Sequence, residues 1–140
     1  QHVLEPLSGY LELGSKLFLE GKSFQGSWNF GPKNDTNYSV IDLINESKKY
    51  VKKIKIRLEN KVNKNFEAKY LKLDISKAIN KLKWSPVLSF DETIKYTAQG
   101  YLSDLENKEY AFKDRLRTIR KYGERANELK IPWANSKKNG

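Results

Sequence analysis

The sequence predicts an α+β fold: a small, mostly helical lobe with two or three short strands. Three observations predict it. Apolar residues recur at helical spacing in four long stretches and one short one. Three brief segments, at 27–30, 53–59 and 70–74, read as extended instead. An apolar content of 38%, with 12% aromatics, over 140 residues is enough for one modest core and argues against disorder throughout.

Each element has a local reason. Pro6 suits a first helical turn, where its missing N–H costs nothing. Leu7, Tyr10/Leu11, Gly14 and Leu17/Phe18 then repeat at helical spacing up to a stop at Gly21, which predicts a helix over 6–20. Ser27-Trp28-Asn29-Phe30 reads as a strand running into a Gly31-Pro32 turn. After the polar loop 34–37, Ser39 and Asp42 approximate a capping box, and Val40, Ile44, Ser47 and Val51 form one face of a second helix. Ile54, Ile56 and Leu58 alternate with Lys53, Lys55 and Arg57, the pattern of a half-buried strand before a polar loop at 60–65. Segment 70–74 reads as extended. Asp74 or Ser76 can cap a short helix bearing Ile75, Ala78/Ile79 and Leu82, broken by Trp84-Ser85-Pro86.

A second capping box, Ser89 with Glu92, opens a helix with Phe90, Ile94, Thr97/Ala98, Tyr101 and Leu105 on one face. The last helix is expected over about 109–129, with Phe112, Leu116, Ile119 and Ala126 on its apolar side and Pro132 as its stop. Positions 135–140 read as disordered. The expected domains are a lobe over 1–105 and a basic helix with a tail over 106–140.

Cysteine is absent, which excludes disulfides and thiolate metal sites and fits a reducing cytoplasm. No apolar run approaches the roughly 18 residues of a membrane span. The net charge is +10 and unevenly spread: ten Lys/Arg lie in 48–72 against Glu59 and Glu67, and ten lie from Glu106 onward against five acids. Such a surface suits nucleic acid, anionic lipid or a phosphorylated small molecule. Its ordinary reading is a solvated lysine-rich face, and no DNA- or RNA-binding motif accompanies it.

Several motifs fail on inspection. Gly21-Lys22-Ser23 would complete a P-loop only with Gly at position 16, where Lys16 stands. His2 is the single histidine, so no triad or metal cluster forms around it. Asp91-Glu92 is explained by capping, and Asp104 and Glu106 fall on exposed positions.

Three blocks carry a resemblance over about 1–102. The first is Gln1-His2-Val3-Leu4-Glu5-Pro6-Leu7-Ser8-Gly9-Tyr10-Leu11-Glu12-Leu13. The second is Trp28-Asn29-Phe30-Gly31-Pro32. The third runs from Glu67 to Ala78 and continues as Leu82-Lys83-Trp84-Ser85-Pro86. Together they resemble bacterial CDP-glucose 4,6-dehydratases of the extended short-chain dehydrogenase/reductase family. Phe66 stands where the family has His, and Lys83 where it has Gly.

The resemblance implies that this chain is the C-terminal substrate-binding part of such an enzyme. An Arg-Pro-Trp precedes the first block in the family, so the chain is expected to be a piece whose NAD-binding, catalytic half lies upstream. The family's Gly-x-x-Gly-x-x-Gly turn and Tyr-x-x-x-Lys pair do not occur here. Intact relatives oxidise the sugar at C4, eliminate water across C5 and C6, and return the hydride to C6, a step of deoxysugar biosynthesis leading to lipopolysaccharide O-antigen. NAD is thus expected in the parent protein and no cofactor in this chain.

By the same resemblance the partner is a nucleotide-diphosphate sugar, with no specific nucleic acid and no membrane. The parent is expected to be a homodimer whose interface lies mainly upstream. The expected substrate-binding residues are Gln1, His2 and Val3 at the first block, Asn29 at the end of the second, and Glu67 and Tyr70 at the third. Each has an ordinary alternative: Asn29 closing its own turn, Tyr70 in the core, Glu67 paired with a lysine. Trp28 and Trp84 read as core anchors. Two further readings stay open, the same lobe of a GDP-mannose, dTDP-glucose or UDP-sugar enzyme and a non-enzymatic basic binding module.

Overall fold

The computed structural model describes residues 1–33, 37–52, 54, 55, 57 and 72–135. Its regular structure is helical: α1 (Leu4–Glu20), α2 (Val40–Ser47), α3 (Phe90–Asp104) and α4 (Lys108–Glu128), with short turns of 3₁₀ helix at Gly21–Phe24 and Pro132–Ala134 and of π-helix at Ala78–Leu82. No strand occurs among the described residues, which overturns the expected α+β class.

The expected strand at 27–30 is an irregular extended stretch. Its side chains are used one by one. Phe30 is buried edge-on to Trp84, Trp28 stacks on Phe24 and donates its indole N–H to the Phe24 carbonyl at 2.8 Å, and the Phe30 carbonyl accepts from Gln1 Nε2 at 3.1 Å. An aromatic run that serves as single anchors needs no ladder partner. Of the other expected strands, residues 54, 55, 57 and 72–74 are irregular, and the rest, like the loop at 60–65, lies outside the described residues.

Local signals fared better at the helix ends. Both capping boxes form, Ser39 with Asp42 and Ser89 with Glu92. Gly21 ends α1 at φ 64°, a left-handed position that suits glycine. Asp74 Oδ1 accepts the Ser76 N–H at 2.8 Å and so caps the short helix. That helix ends as a π turn at Lys83, φ 59°, with the Trp84 N–H on the Ala78 carbonyl at 3.1 Å. The left-handed backbone suits the glycine that the resemblance implies at this position. α2 stops at Ser47, short of Val51. α4 ends before Pro132: Lys130 turns left-handed at φ 55° and the Ile131 N–H reaches back to the Ala126 carbonyl at 2.9 Å, a Schellman stop. Asn135 is ordered by bonds to Ile131 and Pro132, and 136–140 lie outside the described residues.

Packing reverses the faces read from periodicity. On α1, the stripe Leu7, Leu11 and Phe18 faces outward, and Glu5, Gly9 and Leu13 face inward. On α4, Ala126 is buried as expected, but Phe112, Leu116 and Ile119 are exposed, and Ala111, Asp114 and Tyr122 are buried in their place. On α3, Ile94 and Ala98 are buried as expected, whereas Tyr101 and Leu105 are exposed. A helix apolar on two faces has two candidate cores, and close approach decides between them. Gly9 lies so near Phe30 that an added Cβ would fall 2.3 Å from the ring. Only a residue without Cβ lets α1 settle there.

Two clusters result. Phe24, Phe30, Ile75, Ala78, Leu82 and the fully buried Trp84 form one, completed by Leu13 and Trp28. Val87, Tyr122, Ala126 and Ile131 form the other, completed by Leu4, Leu88 and Trp133. α1 contributes to both and holds the loop 84–89 between them.

Candidate functional site

That loop forms one wall of a cleft of about 890 Å³. Pro32 and Lys33 face it from the first segment, Tyr38 and Ser39 from the start of α2, Lys72 from the stretch before the π turn, and Arg125 from α4. The two capping boxes set the start of α2 and of α3 at its rim. Tyr38 and Phe90, beside those caps, stack with centroids 3.7 Å apart and planes 8° apart. Tyr50 ties α2 to α3 by donating to Asp91 Oδ1 at 2.7 Å, and this bond pushes its phenol up to about 12. Arg125 Nε lies 3.3 Å from Glu92 Oε1, and its Nη1 lies 3.0 Å from Glu128 Oε2.

The wall is held by a buried carboxylate. Glu5 accepts the Val87 N–H on both oxygens at 3.1 Å, the Leu88 N–H at 2.7 Å and the Tyr122 hydroxyl at 2.9 Å. Burial raises the Glu5 carboxyl above its ordinary 4.5, and the amides of Leu88 and Val87 and the Tyr122 phenol pull the other way. Burial also raises the Tyr122 phenol, and the Glu5 charge adds to this. Ser8 Oγ accepts the Trp84 indole N–H at 2.9 Å and lies 3.0 Å from Tyr122 Oη, joining the two clusters. Nothing in the sequence marked Glu5 as functional. The available signal was its register: an acid at the spacing of Gly9 and Leu13, on the face that packs.

Of the expected site residues, Gln1, His2 and Val3 line one groove together, Gln1 lines the cleft as well, and Asn29 lines neither. Gln1 lines the cleft, with its amide on the Phe30 carbonyl. Gln1 also lines, with His2 and Val3, a second groove of about 520 Å³ beside Tyr96, Tyr101 and Ile119. There His2 Nδ1 accepts the Leu4 N–H at 3.3 Å, its ring is edge-on to Tyr96, and burial lowers its pKa below 6.5. Asn29 donates to the Asp74 carbonyl at 3.2 Å and links the second block to the third, away from the cleft lining. Glu67 and Tyr70 lie outside the described residues. The sequence reading singled out neither Lys33, Lys72 and Arg125 nor Tyr38, because only the tertiary fold brings those segments together.

Among the described residues no group of three His, Asp or Glu side chains could hold a metal ion, and no helix is long and apolar enough to cross a membrane. No family model matches the chain. The chain is similar to the CDP-glucose 4,6-dehydratase of Salmonella typhimurium, with 39% identity over 94 residues. The match covers 67% of this chain and 26% of that protein, so the chain spans about a quarter of the curated relative's length. The similarity supports the resemblance over the matched residues, as a dehydratase-like fragment.

Proposed function

We propose that this chain is the nucleotide-sugar-binding portion of a CDP-glucose 4,6-dehydratase-like enzyme, and that its ligand lies in the cleft between α2, α4 and the loop 84–89. One observation carries the reading. The three sequence blocks, far apart in the chain, contribute to one cleft: Gln1 from the first, Pro32 from the second, Lys72 and Pro86 from the third. Lys33 and Lys72 bring positive charge to the lining for a diphosphate, and Val87, Leu88 and Phe90 supply apolar wall, the combination that small-molecule sites use.

The parent protein would be an NAD-dependent lyase giving a 4-keto-6-deoxy sugar. The residues of this chain do not fit NAD. The described residues form no strand, hence no βαβ turn to cradle a pyrophosphate, and the sequence has neither the glycine fingerprint nor Tyr-x-x-x-Lys. The chain alone is therefore expected to be inactive.

Calorimetric titration tests the reading. CDP-glucose should bind saturably, and more tightly than UDP-glucose, dTDP-glucose or GDP-mannose. NAD should give no saturable binding in the micromolar range. Equal binding of all four sugar nucleotides would remove the CDP-glucose assignment. No binding of any of them, together with tight sequence-preferring nucleic-acid binding at about 150 mM salt, would favour a basic binding module.

A further inference from the structure

The Tyr38–Phe90 stack lies on the lining of the cleft. Ser39, next to Tyr38, is the cap residue of α2, and Ser89, next to Phe90, is the cap residue of α3. Each ring therefore leaves a fixed backbone position, and the Tyr50–Asp91 bond holds the two helices together behind them. The rings lie parallel at 3.7 Å, so one face of Tyr38 is fully used by Phe90. Yet Tyr38 is 53% exposed and lines the cleft. Tyr38 thus offers a half-exposed aromatic ring, held against Phe90, on the cleft lining that also carries Lys33 and Lys72. A rigid ring backed by a second ring, beside cationic side chains, is what a nucleobase carrying a diphosphate requires. The base stacks on the ring whatever its identity, and the charges take the phosphates.

We propose that Tyr38 is the platform on which the nucleobase of the bound sugar nucleotide stacks, with Phe90 as its backing. This rests on the nucleotide-sugar reading of the cleft and adds the end at which the base sits: beside α2, with the sugar toward Gln1 and the loop 84–89. Tyr38 is a binding residue, and its hydroxyl is not required. Stacking alone does not choose among bases, so Tyr38 contributes affinity, and discrimination falls to polar groups of the lining such as Asn37, its neighbour in the chain.

The test titrates CDP-glucose, CMP and glucose 1-phosphate into the wild-type chain, Tyr38→Phe and Tyr38→Ala, with circular dichroism to verify folding. Tyr38→Ala should weaken CDP-glucose and CMP by about 5- to 100-fold, the range of one lost base–aromatic stack. It should leave glucose 1-phosphate unchanged, and Tyr38→Phe should stay within about twofold of wild type for all three. In the wild-type chain, saturation transferred from the aromatic protons should appear on the cytosine H5 and H6 resonances. This measurement stands even where Tyr38→Ala does not fold. CDP-glucose binding that Tyr38→Ala leaves intact, or saturation reaching the glucose protons and not the base, overturns the platform and leaves the cleft reading standing. No binding of CDP-glucose to the wild-type chain overturns both.

Discussion

The two clusters that α1 joins are built on opposite principles. Around Trp84 the contacts are apolar and aromatic: Phe30 edge-on at 5.0 Å, Ile75, Ala78 and Leu82 closing the sides, and one indole hydrogen bond to Ser8. Around Glu5 the contacts are directional, with two backbone amides and a phenol converging on one carboxylate. The first cluster depends on volume and tolerates changes of chemistry that preserve it. The second depends on the number of acceptors and tolerates no change that removes one. The contrast also separates their roles. The Trp84 cluster anchors the helices, while the Glu5 junction fixes the cleft wall at Val87 and Leu88 and ties α4, with Arg125, to it.

The largest expected effect breaks the apolar side. Trp84→Ala should cost about 3–5 kcal/mol in urea unfolding, as truncation of a buried large aromatic does. A loss below about 1 kcal/mol would show that the cluster collapses around the gap. Gly9→Ala comes next. Its Cβ would meet a Phe30 ring held by Tyr10 and Trp84, so overpacking should cost about 3 kcal/mol although alanine is the better helix former. Stabilisation by the same substitution would show that Phe30 can withdraw.

On the polar side, Glu5→Gln keeps the shape and replaces one acceptor by a donor. Near pH 4.5 the raised pKa keeps the folded carboxyl mostly protonated, with an O–H of its own. There the substitution should cost about 1.5 kcal/mol, from the amide's extra N–H set against the converging Val87 and Leu88 amides and Tyr122 hydroxyl. The pH dependence sharpens this. The folded Glu5 carboxyl holds its proton more tightly than the unfolded one, so its contribution is fully present below the unfolded value near 4.5 and is lost as pH rises through the folded value. The stability advantage of wild type over Glu5→Gln should therefore shrink between pH 4.5 and 7. An advantage that grows with pH would mean that the three donors outweigh burial. The smallest effect is Tyr122→Phe, about 1 kcal/mol for the hydroxyl's bonds to Glu5 and Ser8. In that variant Glu5 loses a donor that favours its ionised form, so the pH at which the junction weakens should move up.

The three sequence blocks were readable as blocks, and Gln1 lies on the cleft lining. His2 and Val3, its immediate neighbours, line only the second groove, which Gln1 shares. Asn29 bonds to the backbone at Asp74 because segment 27–33 crosses the chain there as an extended stretch.

By itself, the sequence determined what depends on neighbours within a turn. Ser39 with Asp42, Ser89 with Glu92, Gly21 at the end of α1 and Asp74 before the π turn each act through bonds spanning two to four residues. Only the tertiary structure decided whether 27–30 found a strand partner, which face of α1 and α4 turned inward, and that Glu5 and Tyr122, 117 positions apart, share a proton bond. Those outcomes rest on pairings between distant segments. A strand needs a second strand to complete its hydrogen bonds, an apolar stripe needs a surface to cover it, and a buried carboxylate needs donors that arrive only when the chain folds back on itself.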